Sequence, residues 1–369
     1  MFVALRDLRH ARGRFALMLV VIILITFLVT FLSSLTAGLT RESSSAITDL
    51  PASHLSFSMQ EHDAAPEFTG SSVSRAQWEA WSAAPGVLRA EPLGVATTRA
   101  TSLERTAAVT AFGVLPTSEL LPDGEAPVSG TAILSEGAAA ALGVGAGGTV
   151  SIAGVPLQVT VVIAGDASFS HTPALWLSLE DWQRVGAPGE AGLDADRDAD
   201  LVATAVAITS EGLTTANIAE LDATLGTTTV TTTQARMAIS SFSSENGSLM
   251  TMQAFLIAIS ALVVGAFFTV WTIGRSGDIA VLKALGASTG YLLRDAIGQA
   301  ALVLVLGVGL GAGLAAVAAT ALAQVVPVEV TAVTTALPAL ALIALGLVGA
   351  GVAIARISRI DPPAALAAR

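Results

Sequence analysis

The chain has 369 residues, 53% of them hydrophobic and 13% charged, with a formal net charge of −11. That balance excludes an ordinary soluble globular protein, and the acidic total implies no nucleic-acid partner; the composition is that of an integral membrane protein. There is no cysteine, which excludes an outer disulfide framework and any thiolate ligand for a metal or haem.

In chain order, residues 1–14 place Phe2, Leu5 and Leu8 beside Arg9 and Arg12. This pattern fits a cytoplasmic amphipathic helix on the inner leaflet and also a simple basic flank that sets topology. Four apolar runs follow, 15–35, 249–273, 296–326 and 333–355. Each is long enough to cross a hydrocarbon layer about 30 Å thick. The first is too long for a signal peptide, and no small-x-small cleavage site follows before Arg41, so it reads as an uncleaved anchor. The resulting plan has membrane helices at 15–39, 236–273 (with a stalk), 291–326 and 333–355. An extracellular domain fills 40–235, a coupling helix 274–290, a short outer loop 327–332 and a tail 356–369.

Charge placement gives the expected orientation. Segments 1–14, 274–295 and 356–369 carry ten Lys/Arg against four acidic residues, a net +6. The insertion between the first two runs carries eight Arg against twenty-four acidic residues, a net −16. By the positive-inside rule both termini are cytoplasmic and the insertion lies outside the cell membrane.

The insertion reads as a mixed α+β domain large enough for its own core. Residues 41–66 are polar and turn-rich, with 55–59 alternating as a strand. A short helix with Trp78 and Trp81 spans 74–83. Strands are expected at 95–101, 107–114, 149–152, 155–163, 174–177 and 203–209, helices at 179–185 and 214–225, and a strand edge plus a small helix over 130–142. Residues 227–233 form a strand or linker. The loop 186–200, with Asp194, Asp196, Asp198 and Asp200, superficially resembles a calcium loop, but the glycine and terminal glutamate of an EF-hand are missing, so a solvated loop is expected. The histidines His54, His62 and His171 are scattered, and no nucleophile, triad or metal cluster stands out, so no enzyme is expected here.

The outer end of the second membrane helix is chemically odd. Glu245 stands one turn above an apolar span, and a carboxylate at a membrane boundary is a functional candidate by default. Glu245, Leu249 and Met252 share a helical face, and Met250 lies beside them. Thioether is an established iron ligand. Glu245 and Met252 are separated by about 10 Å of helix rise, too far to hold one iron from one chain. Donors from two copies would remove that obstacle, with Arg236 above as a propionate partner. Solvated Glu245 and packing methionines are the alternative.

After that helix, Ser276 can cap a short helix in which Ile279, Leu282 and Leu285 fall on one side, with Gly286 as its stop. Gly307 with Gly311, and Gly309 with Gly313, form two overlapping small-residue pairs, and Gly346, Gly349 and Gly351 recur in the last run. The third and fourth helices are expected to pack on each other and on the second. The single lysine, Lys283, follows no glycine-rich phosphate loop, so the sequence has no Walker A motif.

The stretch Gly277-Asp-Ile-Ala-Val-Leu-Lys-Ala-Leu-Gly-Ala-Ser288, in this order of membrane segments, resembles the loop after the second membrane helix in permeases of the MacB/FtsX type of ABC transporter. The reading Glu245-Asn-Gly, Gln253-Ala-Phe-Leu and Ile259 to Ile273 resembles permeases of the haem exporters of Gram-positive bacteria more closely than MacB, and also resembles cyanobacterial glycolipid exporters. MacB itself carries a fused ATPase domain that this sequence lacks.

The resemblance implies a four-helix permease with an extracellular α+β domain after the first helix. It implies a homodimer in membrane lipid, moved by two copies of a separate ABC ATPase subunit that binds ATP. Contacts to the ATPase would come from Asp278, Ile279, Leu282, Lys283 and Leu285. No intrinsic cofactor is implied; haem is the implied cargo, bound by Glu245, Met252, Met250 and Arg236. An alternative of another class is an FtsX-like mechanical signalling permease acting on an extracellular partner, and a further one is export of another amphiphile.

Overall fold

The computed structural model describes residues 12–59, 65–103, 105–121, 126–186, 201–274, 277, 281, 285–286, 288–323 and 325–357. They form two compact units, Thr40–Gly247 and the combination of Met1–Leu39 with Ser248–Arg369.

Helix α1 spans Arg12–Thr48, beyond the apolar run. The polar stretch expected to be turns from residue 41 is therefore helical to Thr48, a correction with a local cause. Ser44 and Thr48 hydroxyls donate back to the Thr40 and Ser44 carbonyls, and Ala46 and Ile47 are buried in the core of the Thr40–Gly247 unit. Bonding to the carbonyl four residues earlier satisfies the hydroxyls but does not by itself favour the helix, so the burial of Ala46 and Ile47 is what holds this stretch helical.

In chain order the rest of that unit comprises β1 (His54–Ser58), β2 (Val73–Ser74), α2 (Arg75–Ser82), β3 (Val87–Thr101), β4 (Thr106–Val114), β5 (Thr131–Ser135), α3 (Glu136–Leu142), β6 (Thr149–Ile152), β7 (Val155–Ile163), β8 (Ser168–Phe169), β9 (Thr172–Ser178), α4 (Leu179–Gly186), β10 (Val202–Ala203), β11 (Ala205–Ser210), α5 (Thr215–Leu225), β12 (Thr227–Thr231) and α6 (Thr232–Ala235). The main sheet runs β12-β1-β11-β3-β4-β9-β5-β7-β6. Its long strand β3 pairs β11 with its first half and β4 with its second, and its end meets β6 at Ala100 and Thr101. The pairings β3-β4-β9-β5-β7-β6 thus close into a ring, a way of leaving few open edges.

Trp182 of α4 is fully buried and lies against Gly94 and Gly113, which face each other across β3 and β4. A Cβ at Gly113 would fall 2.6 Å from Trp182 Cβ, so the flat indole requires both strands to lack side chains there. A second core gathers Phe57, Phe68, Phe112, Phe169 and Trp176 with Ile47 of α1. Phe68 meets Phe57 and Phe169 edge-on, each at a 5.0 Å centroid distance, a favoured aromatic geometry.

Helix α7 spans Ser240–Gly274. Expected from residue 236, it begins later because Arg236–Ala238 form a 3-10 turn and Ile239 is extended, its side chain buried in the aromatic core. Helices α8 (Thr289–Leu322, capped by Ser288) and α9 (Ala332–Ile357) complete four helices, among the described residues, that are long and apolar enough to cross a membrane.

Within the membrane unit the glycines of α9 pack on α8 and α7 as expected, whereas those of α8 do something further. Gly307 and Gly311 of α8 face α1, where a Cβ on Gly311 would meet the Ile23 carbonyl at 2.6 Å and Thr26 Cβ at 2.7 Å. Gly346 of α9 meets Leu304 of α8, and Gly349 meets Gly265 of α7. The first helix, left out of the sequence-based packing, is thus the one that Gly307 and Gly311 face. The calcium-like loop falls within 187–200, outside the described residues, as does residues 1–11 of the amphipathic N-terminal segment.

Gly113→Val in the full chain is expected to lower stability by about 1–3 kcal/mol through overpacking against Trp182. Denaturant unfolding followed by tryptophan fluorescence reads it, and an unchanged midpoint would show that the strands do not need this approach.

Candidate functional site

The polar constellation that stands out in the Thr40–Gly247 unit is built at the tip of the β8–β9 hairpin. Ser168 pairs with Pro173 and Phe169 with Thr172, which leaves a two-residue turn, Ser170-His171. Both turn residues have positive φ, 51° and 60°. A two-residue hairpin favours this conformation because its twist matches the strands, but asparagine and glycine usually occupy it. Phe169, just before the turn, is sunk in the aromatic core and fixes the hairpin's root.

The tip itself is held by the ends of two helices. The Ser170 amide donates to the Ser43 carbonyl of α1 at 2.9 Å, and the Ser168 amide donates to Ser45 Oγ at 2.9 Å. The Ser170 and Ser241 hydroxyls, the latter on α7, are 2.8 Å apart. His171 Nε2 lies 2.9 Å from Glu245 Oε2 of α7, and its Nδ1 lies 3.6 Å from Glu42 Oε2 of α1. One imidazole therefore stands between carboxylates of two helices that are distant in sequence. All three side chains keep contact with solvent.

The residues expected from sequence are placed as follows. Glu245 is half-exposed and engaged with His171 rather than merely solvated. Arg236 sits in the 3-10 turn with its guanidinium 5.6 Å from the centre of the Phe242 ring, a cation–π contact. Met250 and Met252 belong to the membrane unit and are 63% and 58% exposed on α7. Leu285 is 79% exposed; its amide donates to the Val281 carbonyl, and Gly286 follows with φ 93°, the geometry of a helix-ending glycine. Asp278, Ile279, Leu282 and Lys283 lie outside the described residues.

Sequence reading missed His171, Glu42, Ser170 and Ser241. The histidines looked scattered because His171 and Glu245 are 74 positions apart. The available signal was a tight connection between two strands with no glycine or asparagine in it, Ser168-Phe-Ser-His-Thr172. His54, on β1, has a separate character: burial pushes its imidazole below the ordinary range, while Nδ1 bonds Ser53 Oγ at 2.9 Å. Among the described residues no group of three or more His, Asp or Glu side chains is arranged to hold a metal ion.

Comparison with known proteins gives two family matches that together run through both units. Residues 15–224 match the MacB-like periplasmic core domain, and residues 250–362 match the FtsX-like permease C-terminal domain. A protein of Staphylococcus epidermidis designated a hemin transport system permease protein, HrtB, is 30% identical over 141 residues, which is 37% of this chain and 39% of that protein. The corresponding protein of Staphylococcus haemolyticus is 29% identical over 124 residues, 34% of this chain and 35% of that protein. The matched stretch thus spans about two fifths of the length of these relatives.

Among solved structures, the periplasmic region of MacB from Actinobacillus actinomycetemcomitans is similar with a TM-score of 0.33 and 10% identity, covering 52% of this chain and 93% of that one. The extracellular domain of the noncanonic ABC-type transporter YknZ from Gram-positive bacteria is similar with a TM-score of 0.33 and 15% identity, covering 49% and 98%. With the periplasmic core match alone covering more than half of its length, the chain belongs to the MacB/FtsX family of ABC transporter permeases, membrane proteins with an extracellular domain after the first helix.

Proposed function

We propose that this chain is the permease of an efflux pump that removes haem from the membrane, driven by a separate ATPase subunit. The observation that carries the reading is Glu245, a half-exposed carboxylate at the head of α7, in a chain whose relatives are designated hemin permeases. A carboxylate oxygen can coordinate ferric iron, and the apolar residues that follow on the same helix suit the ring's faces. Met252 and Met250 are the proposed thioether donors, and Arg236 the proposed propionate partner. Haem is cargo here, and no resident cofactor is invoked.

The pump is proposed to act as a homodimer. Met252, Phe255, Ile259 and Leu262 of α7 are 58%, 65%, 56% and 73% exposed, at helical spacings of three and four. That spacing is the seam by which two helices pair. Pairing of the second helices would bring the Glu245 and Met252 donors of two copies toward one ring. The basic flanks support a cytoplasmic position for both termini. There, two ATPase subunits would grip the segment 277–286, where Leu285 supports the reading by offering a bare apolar side chain. Closing of the ATPases would move the paired helices, and the membrane-dissolved cargo would be squeezed outward without an aqueous pore.

Three outcomes are expected. Purified permease given haemin should show a Soret band that Glu245→Ala weakens at least about ten-fold in affinity, the scale of one lost charged ligand; a band of undiminished affinity would remove Glu245 from the site. Since the chain has no cysteine, a single Phe255→Cys should cross-link between copies in native membranes, and failure to do so there and at Leu262→Cys would sink the paired-helix arrangement. Leu285→Asp should abolish ATP-driven export while leaving haemin binding unchanged, and export at the full rate would show that the segment does not receive the drive.

A further inference from the structure

We propose that His171 is a positioning residue for Glu245: it anchors one carboxylate oxygen so that the other is presented to the iron of the cargo. The inference rests on the haem reading above and gives His171 no bond to iron. It is carried by the 2.9 Å separation of His171 Nε2 and Glu245 Oε2, across 74 positions of sequence. A carboxylate offers only acceptors, so Nε2 is the nitrogen that donates. The Glu245 side chain is still 47% exposed, which leaves it open to an incoming group while that contact stands. Glu42 plays no part in this, because its carboxylate lies 3.6 Å from Nδ1, beyond hydrogen-bond length.

An anchor fixes its neighbour only if it is itself fixed. His171 and Ser170 both have positive φ, and non-glycine residues stay there only where surroundings over-determine them. The Ser170 amide is tied to the Ser43 carbonyl at 2.9 Å, and its hydroxyl stands 2.8 Å from that of Ser241. Ser241 and Glu245 are four positions apart on α7 and share a helical face. The turn therefore meets that helix at two points one turn apart, which sets the direction of the imidazole as well as its distance.

What the contact adds is direction. An unanchored glutamate on a helix surface samples many rotamers, and ordering it at the moment of binding costs affinity. With Oε2 held from behind, the carboxylate is ordered before the cargo arrives. Partners placed behind a ligating carboxylate act in this way, and their loss weakens metal binding by about 10–100-fold. The rival role, His171 as a ligand in its own right, would take from Glu245 the nitrogen that is already committed to it.

The test is titration of the full purified permease with haemin, beside iron-free protoporphyrin IX, which has the same ring but no metal for a carboxylate to meet. His171→Leu should weaken haemin binding about ten-fold and leave protoporphyrin binding unchanged. His171→Gln, whose amide can donate in place of Nε2–H, should restore most of the haemin affinity. With Glu245→Ala already in place, His171→Leu should weaken haemin no further, since its effect runs through that carboxylate. Undiminished haemin affinity in His171→Leu, equal weakening of both porphyrins, or an added loss in the double variant would each overturn the positioning role. If any of these occurs while Glu245→Ala alone still weakens haemin, only the role of His171 is lost; if Glu245→Ala binds haemin undiminished, the site proposed for haem falls and this role with it.

Discussion

A domain inserted between two membrane helices has its ends fixed by those helices, and here the constraint is met at one imidazole. Glu42 is on the last turns of α1 and Glu245 on the first turns of α7, and His171 stands between them. Two carboxylates brought this close would repel in the absence of a cation or donor between them. The hairpin supplies that donor from a different part of the chain. Around it, Ile47 of α1 and Phe242 of α7 enter the same aromatic core as Phe169, so apolar burial brings the helix ends near and the polar tip sets their register.

The remaining architecture explains why the hairpin is rigid enough to serve. β9 pairs with β4 in parallel and with β5 antiparallel, so the strand that follows the turn runs in the middle of the ring. β4 is fixed in turn against β3 by the bare Gly94–Gly113 contact under Trp182. Thr110 of β4 reaches Thr172 at 2.6 Å, one residue beyond His171. A displacement of the turn must therefore bend a strand that has partners on both sides, which close-packed interiors resist.

Much of this was legible from residue order, and the parts that were not share a cause. The membrane helices declare themselves by apolar length, and β7 by alternating residues, because both signals are local. The end of α1 was not legible: Arg41–Thr48 is polar enough to read as a loop, and only its burial of Ala46 and Ile47 against distant strands makes it helix. Ile239 likewise breaks the expected long helix because the aromatic core claims its side chain. Glu245 drew attention from its position at a membrane boundary, whereas its partner His171 did not, since the pairing depends on the whole ring being assembled. The small-residue pair Gly307–Gly311 was visible as a packing device, but a single sequence does not say against which helix, and the answer was α1.

Strained backbone costs on the order of 1–3 kcal/mol at each such residue, and at Ser170 and His171 that cost is offset by contacts with α1 and α7 rather than within the hairpin. Separation of the helix ends would withdraw those contacts together, so that the turn loses its reason to stay left-handed at the moment the carboxylates part. A surface loop with glycine at both positions would follow the helices without resisting. Serine and histidine at these positions instead make the turn dependent on the helix ends that hold it in place.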